Sequence, residues 1–144
     1  MKNVIAVVSL LLGLLCLVLT VEGHAQVDPA KVLVEVWDGQ AAVMGQSRFT
    51  LVINNVKETG DGTWVGRGRF GFASMTDTEN RRGGNTELNI TSKDGEILVS
   101  FITINAKTPI NLKLIGENKL EGTIGVVQMG GSLRDRKIWF EKKP

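Results

Sequence analysis

Apolar and polar positions alternate with a period of two along most of this chain, and glycine-bearing turns break the alternation at short intervals. That pattern predicts successive β-strands. Val32, Val34 and Val36 share one face of a strand expected over Lys31–Trp37, and Phe49, Leu51 and Ile53 share one over Arg48–Val56. Past the polar turn Lys57–Gly62, the segment Thr63–Phe72 sets Trp64, Gly66, Gly68, Phe70 and Phe72 against Val65, Arg67 and Arg69. Thr86–Thr91 carries Leu88 and Ile90. Asp94-Gly95 supplies the positive φ angles of a tight hairpin. Glu96–Ile104 follows, with Ile97, Val99 and Phe101 opposite Leu98 and Ile102. Ile110–Ile115 and Lys119–Val127 flank the turn Gly116-Glu117-Asn118, and Arg136–Lys142 sets Ile138 and Phe140 opposite Trp139.

About eight strands joined mainly by short turns make an all-β domain. The expected architecture is a single antiparallel up-and-down barrel, which removes exposed edges by closure. A two-sheet β-sandwich is the alternative. Glycines within strands (Gly66, Gly68, Gly122, Gly125) favour the barrel, because they sit where a sheet coils sharply or where something approaches the backbone. Two connections are longer: Ala73–Asn85, containing Arg81-Arg82-Gly83-Gly84, and Gln128–Asp135, containing Gly130-Gly131. Ala41–Gly45 fits a helical turn or a loop.

The first 25 residues follow a different rule. A charged start at Lys2 precedes an apolar run from Val4 to Val21, and small residues Gly23 and Ala25 sit three and one positions before Gln26. This order is that of a secretory signal peptide cut ahead of Gln26. It predicts a single mature domain over residues 26–144 and a periplasmic or extracellular location. The run also reaches membrane-spanning length, so membrane contact is expected only if this segment is retained.

Gly62-Thr63-Trp64-Val65-Gly66, the Asp94-Gly95 hairpin, Leu120-Glu121-Gly122-Thr123, a glycine-rich loop and a last strand with Trp139 and Phe140 together resemble small secreted bacterial calycin-type barrels, the group containing lipocalins and avidins. The resemblance covers about residues 48–142. Gly62-x-Trp64 is similar to the motif on the first strand of lipocalins, although here it lies well into the domain. The resemblance implies a barrel with a binding cavity and specifies no ligand.

Composition narrows the chemistry. The only cysteine is Cys16 and the only histidine is His24, both in or beside the N-terminal segment. Residues 26–144 therefore cannot assemble Ser-His-Asp or Cys-His machinery, nor zinc, haem or copper sites built on those side chains. No enzyme activity, metal or other cofactor is expected. The carboxylate pairs Glu35/Asp38, Asp77/Glu79 and Asp94/Glu96 fall in or beside predicted turns or on solvent-facing strand positions, and they read as serving solubility and turn formation rather than as a hydrolytic dyad. A formal net charge of +2 argues against a nucleic-acid partner. Gly66-Arg67-Gly68-Arg69-Phe70-Gly71 spells a dinucleotide motif but lies within a strand, without the helix that would receive a pyrophosphate.

What remains is an aromatic–glycine stripe and a set of arginines. The expectation is a secreted non-catalytic binding module that takes a small apolar or amphipathic ligand. The candidate ligand-binding residues are Trp64, Gly66, Gly68, Phe70 and Phe72, with Arg81, Arg82, Arg134 and Arg136 at the mouth if the two longer loops share one end of the barrel. The alternative is a structural or interaction protein of the envelope, contacting a protein or anionic glycan through a sheet face or the arginine loops.

Overall fold

The computed structural model describes residues 27–42, 46–73, 82–104 and 107–144. The expected signal segment, Ala41–Gly45 beyond Ala42, and Arg81 lie outside the described residues. Eight strands form one closed antiparallel barrel in sequential order: β1 (Val36–Ala42), β2 (Gln46–Gly60), β3 (Thr63–Ala73), β4 (Arg82–Lys93), β5 (Glu96–Ile102), β6 (Pro109–Ile115), β7 (Lys119–Val127) and β8 (Leu133–Lys142). The first strand meets the last, with Gly39 opposite Phe140 and Ala41 opposite Ile138. The up-and-down barrel expected from the alternation is thus present, and the sandwich is not.

The first expected strand is misplaced. Residues Pro29–Leu33 form a single-turn helix, α1, and β1 starts only at Val36. The cause is local. The Asp28 side chain accepts a hydrogen bond from the Ala30 amide at 3.0 Å, and Pro29 supplies a fixed φ at the first helical position. Val32 and Leu33 are buried from this helix rather than from a strand face.

Sequential hairpins decide which end each connection occupies. Helix α1, the β2–β3, β4–β5 and β6–β7 turns gather at one end, here called the plugged end. The β1–β2, β3–β4, β5–β6 and β7–β8 connections gather at the other, the open end. Plugging is done by Leu33, which joins the core, and by the Trp37 indole, whose Nε1–H donates to the Leu33 carbonyl at 3.1 Å.

Inward positions follow the period of two. Among the described residues, nineteen buried apolar side chains form one cluster drawn from α1 and every strand. A β-bulge between Ile53 and Asn55 shifts the register of β2, so that Ile53 and then Val56 reach inward. Glycine fits two sharp folds of the sheet. A Cβ on Gly68 would lie 2.1 Å from the Val52 carbonyl oxygen, and one on Gly122 would lie 1.8 Å from that of Asn111. Both clashes are with the backbone of the adjacent strand, so only a residue without a side chain permits the approach.

Candidate functional site

The inner wall changes character along β8. Phe140 and Ile138 point into the core and are fully buried, while Arg136 and Arg134, next on the same face of the strand, are exposed at the open end. Their register partners on β7 are Ile124 for Arg136 and Val126 for Arg134. An aromatic layer lies at the same end of the barrel. Phe70 stacks on Phe49 with ring centroids 5.3 Å apart and meets Phe101 at 5.5 Å in a tilted arrangement. All three rings are buried. The open end of the barrel therefore carries both a buried aromatic layer and two exposed guanidinium groups.

The β5–β6 connection is pinned beside this mouth. The Thr103 hydroxyl accepts from the Thr108 amide at 3.1 Å, the Thr108 carbonyl accepts from the Thr103 amide at 2.9 Å, and the Lys107 amide donates to the Thr103 carbonyl at 3.0 Å. Both threonines are buried, and Lys107, with φ of 51°, stands exposed. Ile104 leans over Gly84 of β4: a Cβ there would come within 3.3 Å of its side chain. Further in along β4, Thr86 is buried opposite Gly68, and its hydroxyl has no hydrogen-bond partner among the described residues.

The residues anticipated for the site are divided between two levels. Phe70, Arg134 and Arg136 belong to the open end, as do Phe72 and Arg82, which pair in register where β3 and β4 finish and start. Arg81 lies outside the described residues. Trp64 belongs to the other level: it is buried near the β2–β3 turn, opposite Ile90. The room beside Gly66 is taken by Leu88 and Ile90, whose methyl carbons would lie 3.1 and 3.2 Å from an added Cβ. Gly68 faces backbone, as described above. The two glycines therefore serve packing and sheet curvature, and the stripe they share with Trp64 is core at this depth.

Sequence reasoning passed over Phe49, Phe101, Thr86 and the Thr103–Thr108 pair. Phe49 and Phe101 carried the signal of inward alternation, but nothing in the pattern showed that they converge with Phe70, Phe49 from the adjacent β2 and Phe101 from β5, two strands away. The threonines carried none.

The outer wall holds the ion pairs. Lys113 Nζ lies 2.5 Å from Glu96 Oε1, and Lys119 Nζ lies 2.5 Å from Glu121 Oε1. The Lys119 hydrogen bond holds the Glu121 carboxyl below its usual range, and the same bond raises the Lys119 ammonium above its own. Of the carboxylate pairs noted in the sequence, Asp94 and Glu96 are exposed around a hairpin turn, Glu35 and Asp38 flank the start of β1, and Asp77 and Glu79 lie outside the described residues. Among the described residues no three metal-binding side chains converge. Compared with known protein families and with curated protein sequences, the chain matches none.

Proposed function

We propose that this protein is a secreted, non-catalytic binding module of calycin-like architecture that takes an amphipathic ligand with an anionic head at the open end of the barrel. The observation that carries this reading is the change from Ile138 to Arg136 and Arg134 along one face of β8, at the end of the barrel that also holds the Phe49–Phe70–Phe101 layer. An apolar tail would lie on the aromatic layer, and guanidinium groups would receive a carboxylate or phosphate in bidentate fashion. The filled lower half limits how deep such a ligand goes. Leu88 and Ile90 occupy the space beside Gly66, so binding belongs to the mouth and not to a long channel. The closed antiparallel eight-strand barrel is compatible with a calycin relationship.

A titration with a fluorescent polyene fatty acid tests the reading. The unsubstituted protein should bind and enhance the probe emission, and Arg134→Ala/Arg136→Ala should weaken binding about tenfold, the scale of one lost charge-assisted contact. Absence of binding, or equal affinity in the double variant, would refute it.

A further inference from the structure

The outer wall of the open end carries an apolar band that the mouth does not use. Ile102 on β5 is paired with Pro109 on β6, and Val127 on β7 is paired with Leu133 on β8. Gly125 of β7 joins the two pairs, because a Cβ there would lie 3.0 Å from Pro109 and 3.5 Å from Leu133. The band therefore runs across four neighbouring strands at one rim. Ile102, Val127 and Leu133 are each about 60% exposed, and Met129 projects fully from the adjoining turn. Five of the eight large apolar side chains exposed among the described residues gather at this end, Ile104 being the fifth. Exposed apolar surface concentrated at one place marks an interaction site.

Charge distinguishes the partner. Arg134, Arg136, Lys107 and Arg48 are exposed at the same end, and Asp135 is the acidic side chain among the described residues there. At the plugged end acids and bases are mixed: Asp61, Asp94 and Glu117 occupy the turns. A second copy meeting this rim face to face would oppose like charges. An anionic bilayer would instead attract the cations and receive the apolar side chains at its interface, the combination that holds peripheral proteins on membranes.

We infer that the open-end rim docks on an anionic lipid bilayer, with Met129 and Leu133 entering the interface and the flanking cations held at the headgroups. The inference does not depend on a ligand in the mouth. It is tested on the full chain with vesicles of phosphatidylglycerol mixed with phosphatidylcholine, whose acyl chains are either brominated or unbrominated. A bromine quenches an indole only at membrane depth. In the Met129→Trp variant the emission of the added indole should fall about twofold on brominated vesicles, as expected for burial at the acyl boundary. The Ile115→Trp variant, whose exposed position lies at the plugged end, should change little and reports any approach of that end. Vesicles of phosphatidylcholine alone should give markedly less quenching of Met129→Trp. Failure of Met129→Trp to be quenched would overturn the inference. So would equal quenching of Ile115→Trp, equal quenching on the uncharged vesicles, or a dimer in sedimentation that Leu133→Asp dissolves, which would assign the band to a second copy.

Discussion

Lys142, on the last strand, holds its ammonium 5.3 Å from the centre of the Trp37 ring, on the first strand. Trp37 in turn donates to Leu33 of the plugging helix. One fully buried indole thus links the seam of the barrel to its plug. Trp37→Phe should lower stability by at least ~1 kcal/mol through the lost hydrogen bond, and Trp37→Ala by ~3–5 kcal/mol through the cavity. Lys142→Met should cost about 0.5–1 kcal/mol, the scale of a partly exposed cation–π contact. Urea midpoints read all three. An undiminished midpoint for Trp37→Phe would show that the indole N–H contributes nothing to the plug.

The strand glycines should rank by what surrounds them. Gly68→Ala and Gly122→Ala push a methyl group into neighbouring carbonyl oxygens, which cannot move without opening the sheet, and should cost ~3 kcal/mol or prevent folding. Gly66→Ala meets only the ends of Leu88 and Ile90, which can adjust, and should cost about 1 kcal/mol. Thermal unfolding of the three variants side by side measures the order. Equal losses would mean that curvature is not what these glycines provide.

Thr86→Val should stabilise the barrel. It keeps the shape of the side chain and removes a buried hydroxyl that no group among the described residues partners, whose desolvation costs on the order of 1 kcal/mol. A higher denaturation midpoint is the expected outcome. A lower one would mean that the hydroxyl has a bound partner worth keeping.

Lys119 and Glu121 define the edges of the pH profile. Glu121 titrates lower in the folded chain than its ordinary value of 4.5, so its contribution is complete above that value and is lost as pH falls through the depressed one. Lys119 titrates above its ordinary 10.5, so its contribution is complete below that value and is lost as pH rises through the raised one. Residues 27–144 contain no histidine or cysteine, so no side chain there ordinarily titrates between about pH 5.5 and 8.5. The melting temperature should be flat over that window. Glu121→Gln should reduce the fall on the acid side, and salt should reduce it too, because both groups are solvated. A strong slope near neutrality would contradict this assignment.

Much of the barrel was legible because its strands alternate strictly. Lys119–Val127 has the observed limits, and the inward sets Ile97/Val99/Phe101 and Ile138/Phe140 are buried as the alternation requires. The polar strand ends were not legible. Arg82–Asn85 and Leu133–Asp135 read as loop, but they pair with β3 and β7, and such extensions depend on the partner strand rather than on their own apolar content. The Asp28-Pro29 signal for α1 was present and was outweighed by the valine alternation that follows it. For the candidate site, Arg134 and Arg136 were identifiable as cations near a glycine-rich turn. Their sharing an end of the barrel with three clustered phenylalanines was not, since that depends on barrel closure. Trp64 and Phe70 share a strand face, yet they lie toward opposite ends of the barrel.

The seam between β1 and β8 joins segments about a hundred residues apart in the chain. In chain order Val36–Ala42 comes first of the eight strands and can pair on one side with β2, while its other edge waits for Leu133–Lys142, the eighth. Hairpin by hairpin the sheet can form quickly, but closure carries the largest loop entropy and comes at the end. Until then the barrel is an open sheet with two bare edges. A chain cut short by its final ten residues would keep that state permanently, and it should aggregate through those edges rather than survive as a smaller barrel.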